Sequence, residues 1–88
     1  MAKSIYDINH KIFYDLLYRL RLNSGLKQSE LASQLGVPQS YISKIENGQR
    51  RVDIIELKNI CKVFDLTLID FIKKYEEELN GAKPKISK

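Results

Sequence analysis

Four residues in the stretch GVPQSYISKIEN, residues 36 to 47, carry hydrogen-bonding chemistry without reactivity: Gln39, Ser40, Ser43 and Lys44. In a helix their spacing sets them on the outer face, with Tyr41 at the flank, while Ile42 and Ile45 point inward. That face offers amide, hydroxyl and ammonium groups, which suit recognition of a flat polar surface better than bond making. The chain pairs no nucleophile with a base and has no glycine-rich phosphate loop or metal-ligand cluster. An enzyme is not expected, nor a cofactor or a metal. The lone Cys61, in LKNICKVF, cannot form an internal disulfide and reads as a buried small hydrophobe. His10, the sole histidine, is expected on the exposed side of the first helix.

The charge is unevenly placed. The chain nets +4, and residues 19–51 hold the whole excess: Arg19, Arg21, Lys27, Lys44, Arg50 and Arg51 against Glu30 and Glu46. The remainder balances nine basic against nine acidic residues. Such a footprint suits a surface that meets phosphates. At 88 residues, with 43% hydrophobic and 30% charged residues, the chain reads as one soluble globular domain of marginal core size. An oligomer interface would add stability. No apolar run is long enough to span a bilayer, and Met1-Ala2-Lys3-Ser4 leads into no signal-peptide core, so a cytosolic location is expected.

The elements that must position the four residues read as all helix. Ile8, Ile12, Leu16 and Leu20 recur at i+4, with Phe13 and Leu17 widening the stripe, and Gly25 follows as the stop near Asn23. A second helix spans Gln28 to Leu35 and ends at Gly36; a third spans about Gln39 to Glu46 and ends at Asn47-Gly48. Asp53-Ile-Ile-Glu56 and Thr67-Leu-Ile-Asp70 are capping boxes that open a fourth and a fifth helix. Asn80-Gly81 is expected to close the last one, making residues 1–79 the domain and 80–88 a flexible basic tail. Between the second and third helices Gly36 supplies a positive φ, Val37 tucks inward and Pro38 starts the next helix. Leu31, Ala32, Leu35, Gly36, Val37, Ile42 and Ile45 then all fall where a helix-turn-helix needs apolar, small or glycine residues.

On those residues, LKQSELASQLGVPQSYISKIENGQRR resembles the Cro-repressor or xenobiotic-response-element type of helix-turn-helix, the lambda-repressor-like DNA-binding domains. The likeness covers about residues 12–76 and is most specific at Gln28, Glu30-Leu31-Ala32, Gly36 and SKIENG. It implies a compact five-helix all-α fold, duplex DNA as partner, dimeric action and no catalysis. It departs from the family pattern at Lys27 and Pro38, where Ser or Thr often caps a helix; each loss costs about 1 kcal/mol at most.

If the third helix lies in a major groove, Gln39 can bond an adenine edge, Lys44 can reach guanine O6 and N7, and Ser40 and Ser43 suit either partner. The matching phosphate positions are Gln28, Asn47 with the Gly48 backbone, Arg50 and Arg51, with Tyr41 flanking. The resemblance also pairs Arg21 with Glu46 as a scaffold salt bridge. Leu68, Ile69, Phe71, Ile72, Tyr75 and Leu79 give the fifth helix more than one apolar side, and Tyr6, Phe13, Tyr14 and Tyr18 exceed the needs of the first. They form either a dimer patch or a cover between those two helices. The expected function is a homodimeric transcriptional regulator, of repressor or controller type, on a roughly palindromic operator. The sequence contains no sensor domain, so no small-molecule effector is expected. The alternative is a protein–protein or RNA-associated adaptor, or an antitoxin partner, reusing the fold.

Overall fold

The computed structural model describes residues 8–82. Five helices make up the order: α1 (Ile8–Asn23), α2 (Gln28–Leu35), α3 (Gln39–Glu46), α4 (Ile54–Val63) and α5 (Leu68–Ala82). Strands are absent among the described residues. The main core joins Leu16 and Leu17 of α1, Ile45 of α3, Leu57, Ile60 and Cys61 of α4 and Phe71 of α5. A second cluster, Leu31, Ala32 and Ile42, locks α2 onto α3, with Leu35 and Val37 half-buried against it. Small Ala32 at that crossing lets the two backbones approach. No helix among the described residues is long and apolar enough to cross a membrane.

The corner between α2 and α3 is set by backbone geometry. Gly36 takes φ +73°; its N–H donates to Ser33 O at 3.2 Å, and Val37 N–H donates to Ala32 O at 3.0 Å. This crossed pair satisfies the last carbonyls of α2 and turns the chain within two residues. Pro38 then stands as the residue before α3, with φ −68°. Neither Lys27 nor Pro38 caps its helix through a side chain, but Glu30 reaches back to accept from Lys27 N–H at 2.8 Å. The Asp53–Glu56 box closes in both directions, at 2.8 and 3.0 Å, and the Thr67 hydroxyl accepts from Asp70 N–H at 3.0 Å.

Three expectations change. Asn80-Gly81 does not end α5, which runs on to Ala82; a glycine in the final turn weakens a helix without breaking it. Residues 83–88, the rest of the expected tail, lie outside the described residues, as does Tyr6. Ile8 is 52% exposed in the opening turn of α1, and His10 is half-buried rather than exposed, its ring 6.3 Å from that of Tyr14. Of the two roles open to the aromatic residues of α1, Phe13 takes the covering one: its ring meets Tyr14, Phe71 and Tyr75 edge-on at 5.2, 5.6 and 6.0 Å.

A stop the sequence did not advertise closes α4. Asp65 sits at φ +62°, with Leu66 N–H donating to Cys61 O at 2.9 Å, so an aspartate fills the place that glycine fills after α2. Left-handed backbone costs an L residue roughly 1–2 kcal/mol, less for Asp than for most. Asp65→Gly is therefore expected to raise stability by about 1 kcal/mol and Gly36→Ala to lower it by about the same, since a Cβ at Gly36 would meet no atom within 4 Å and the penalty is purely conformational. Urea midpoints measure both; equal shifts of one sign would contradict the assignment. Burial pushes the Cys61 thiol up to about 11, so a thiol reagent at neutral pH should label it on unfolding and not before.

Candidate nucleic-acid interface

Within α3, Ile42 and Ile45 are 2% exposed, which fixes the rotation of the helix. Gln39, Ser40 and Lys44 are consequently exposed, and Ser43 is half-buried at the edge of the same face. Asn47, just past the helix, is exposed too.

The side chains behind this face form one chain of hydrogen bonds. Arg21, near the end of α1, meets Glu46, the last residue of α3, through both ends of its guanidinium: Nε to Oε2 at 2.7 Å and Nη2 to Oε1 at 3.0 Å. The two side chains are 8% and 7% exposed. Arg21 Nη1 also donates to Leu26 O at 2.8 Å, pinning the loop before α2. Glu46 Oε1 accepts a third bond from Gln28 Nε2 at 2.9 Å, and Gln28 Oε1 accepts from Gln39 Nε2 at 3.3 Å. The carboxylate keeps the guanidinium pKa raised in spite of burial. Gln28 is thus a bridge: half-buried, it connects the ion pair to the first residue of α3 and orients the Gln39 amide.

Arg50 and Arg51 part company. The Arg50 guanidinium lies 4.3 Å over the Tyr41 ring, and its Nη2 donates to Glu56 Oε2 at 2.8 Å. Its Nε is buried without a partner. In this conformation Arg50 serves the α3–α4 junction, and Tyr41, half-buried, is its platform rather than a free flank. Arg51 is exposed beside Asn9 and His10, at a cleft of about 320 Å³ that runs against Phe71 and Tyr75. The structure therefore brings Gln28, Gln39, Ser40, Lys44 and Asn47 toward one region and sets both arginines at its margins.

Another cleft, of about 520 Å³, opens between α1 and the end of α3. His10, Lys11, Tyr14, Asp15 and Tyr18 form one wall, facing Gln28, Asn47 and Gly48. Tyr14 and Tyr18, expected in a dimer patch or a cover over the fifth helix, instead line this wall with His10, the three recurring at i+4 as a stripe.

Comparison with known proteins agrees with this geometry. The sequence profile of the helix-turn-helix family matches residues 17–71, and the chain belongs to that family. It is similar to the control protein C.MunI of a Mycoplasma species, 33% identical over 67 residues that cover 75% of this chain and 90% of that one. A putative HTH-type transcriptional regulatory protein of Methanococcoides burtonii is 35% identical over 74 residues; they cover 81% of this chain and 23% of that much longer protein. Among solved structures, an XRE-family like protein from Pseudomonas syringae pv. tomato superposes with a TM-score of 0.77 at 37% identity, covering 86% of this chain and 93% of that one. The restriction-modification controller protein C.Esp1396I, solved as a tetramer with its natural 35-base-pair operator, shares the fold with a TM-score of 0.76 at 24% identity, over 84% and 97% of the two chains.

Breaking a buried pair leaves a charge without its partner, so Arg21→Ala should cost about 3–5 kcal/mol. Joint replacement, Arg21→Ala with Glu46→Ala, should cost less than the sum of the two single changes. A double-mutant cycle by urea unfolding checks this; additive losses would show that the two side chains are not coupled. At Glu56, the Asp53 backbone N–H, helped by Arg50, holds the carboxyl below its usual pKa. Its contribution to stability should be complete above the ordinary carboxylate range and fade as the pH falls through the lowered value. The margin of the wild type over Glu56→Gln in urea midpoints should shrink accordingly; a margin independent of pH would refute it.

Proposed function

We propose that this protein is a transcriptional regulator that binds double-stranded DNA in a sequence-specific manner and reads the major groove with α3 as a homodimer. The observation that carries the reading is the outward display of Gln39, Ser40 and Lys44 on a helix whose other side is anchored by Ile42 and Ile45. Amides and hydroxyls discriminate among base edges, whereas a purely basic face would hold any sequence. The Gln28 bond to Gln39 supports it further, because a reading amide gains selectivity when its donor and acceptor ends are held in one order.

Gln28 and Asn47 flank the reading helix and serve the phosphate role; their contacts set register and add affinity. Arg51 serves it from the margin. Arg50 joins them by giving up Glu56 to a phosphate, an exchange of one anion for another. The homodimer draws support from the exposed apolar residues Ile54 and Ile55 of α4 and Ile69 and Ile72 of α5, which are 40–69% exposed. One eight-residue helix supplies little specificity alone, and two of them about one DNA turn apart demand a roughly palindromic site. The controller protein that shares this fold was solved as a tetramer on its operator, an assembly built from more than one such helix.

Selection of bound duplexes from a random pool tests the reading. The expected product is an inverted repeat with half-sites about one turn apart. Gln39→Ala and Lys44→Ala should each relax preference at particular half-site positions, by about 1–3 kcal/mol. A pool that converges on no symmetric motif, or variants that weaken every sequence equally, would overturn it.

A further inference from the structure

We infer that α1 takes part in DNA binding: the cleft between α1 and the end of α3 is a seat for the sugar–phosphate backbone, and Lys11 supplies its charge. The inference rests on the DNA-binding reading and extends the footprint to the part of α1 from His10 to Tyr18, which lies outside both the charge-rich segment 19–51 and the helix-turn-helix. The geometry comes first. Gln28 and Asn47, which flank the reading helix, form one side of the 520 Å³ cleft, so a strand held by them lies along its mouth. Lys11 and Tyr18 stand on the opposite side, seven residues apart on one helix and hence about 10 Å apart along its axis.

Of the two carboxylates that line the cleft, Glu46 is buried against Arg21, whereas Asp15 shares the Arg19 guanidinium with Glu78, its Oδ2 2.8 Å from Arg19 Nε. Lys11 is exposed and forms no ion pair with any described residue. Among the described residues Lys11 is therefore the cation of this cleft that no carboxylate holds, and it stands opposite the two amides. The walls are otherwise the rings of His10, Tyr14 and Tyr18, which give sugar and phosphate a contact surface without reading bases. Lys11 consequently contributes affinity and no sequence preference.

The test uses the full chain and a duplex enriched from the random pool, with a scrambled duplex beside it. Lys11→Ala should weaken binding to both by the same factor and flatten the plot of log K against log salt by about 0.9, the value of one phosphate contact. Lys11→Arg should restore the slope, and Lys73→Ala on α5 should leave it unchanged. Reductive methylation should modify Lys11 in the free chain and spare it in the complex, a readout that does not depend on any variant folding. Wild-type binding with an unchanged Lys11→Ala slope, or Lys11 equally modified with and without DNA, overturns the role of α1 and leaves α3 as the reading helix. Failure of the wild type to bind any duplex overturns both.

Discussion

The buried pair of Arg21 and Glu46 is the constraint on which the rest of the arrangement depends. A charge taken from water must be met on every side, and here it is: the guanidinium reaches two carboxylate oxygens and the Leu26 carbonyl, while the carboxylate takes a further bond from Gln28. Those partners belong to the end of α1, the loop after it, the start of α2 and the end of α3. One node therefore ties together the three elements whose relative angle decides whether α3 projects outward. Apolar replacements can match the stability of such a pair, but the two-point contact of guanidinium with carboxylate admits one relative placement of the two side chains. The crossing of α2 and α3 has an apolar anchor of its own in Leu31, Ala32 and Ile42. The ion pair adds direction to that anchor, and through Gln28 it reaches the first amide of the reading face.

In the proposed reading, charge and selectivity are divided between different side chains. The outer face of α3 carries a single ammonium, Lys44, among neutral groups, while Arg50, Arg51 and Lys11 stand around it. Arg50 shows why position in sequence does not settle a role. Its guanidinium rests on Tyr41 and bonds Glu56, so the junction of α3 with α4 is stabilised by the same cation that a phosphate would attract. In that arrangement the Arg50 Nε is left buried without a hydrogen-bond partner. Arg19, by contrast, clasps Asp15 within α1 and Glu78 of α5 and strengthens the contact of the first helix with the last.

Much of this is legible in the sequence, because the signals are local. Gly36, Gly48 and the Asp53–Glu56 box act through their own neighbouring backbone, and each works where the sequence set it. The bounds of α2 and α3 followed from the same signals. Non-local matters were harder. Nothing near Arg50 in sequence announces Glu56 as its partner, since the two meet across a turn that folds back on α3. Asp65 as a left-handed stop was missed because aspartate usually signals the start of a helix. Asn80-Gly81 misled in the opposite sense: the residues that usually stop a helix were carried through by α5. The His10, Tyr14 and Tyr18 stripe was visible as a period of four, but what it faces depends on where the end of α3 lands, which periodicity cannot report.

The proposed contact with the duplex is the outward face of α3, with Gln39 at its head and Gln28 behind it. A titration of isotope-labelled protein with a selected duplex, followed by nuclear magnetic resonance of side-chain and backbone amides, tests it most directly. The largest shifts are expected at the Gln39 and Gln28 side-chain amides and at the backbone of Ser40 and Lys44. Shifts concentrated on Ile69 and Ile72 of α5, with the Gln39 amide unmoved, would contradict it.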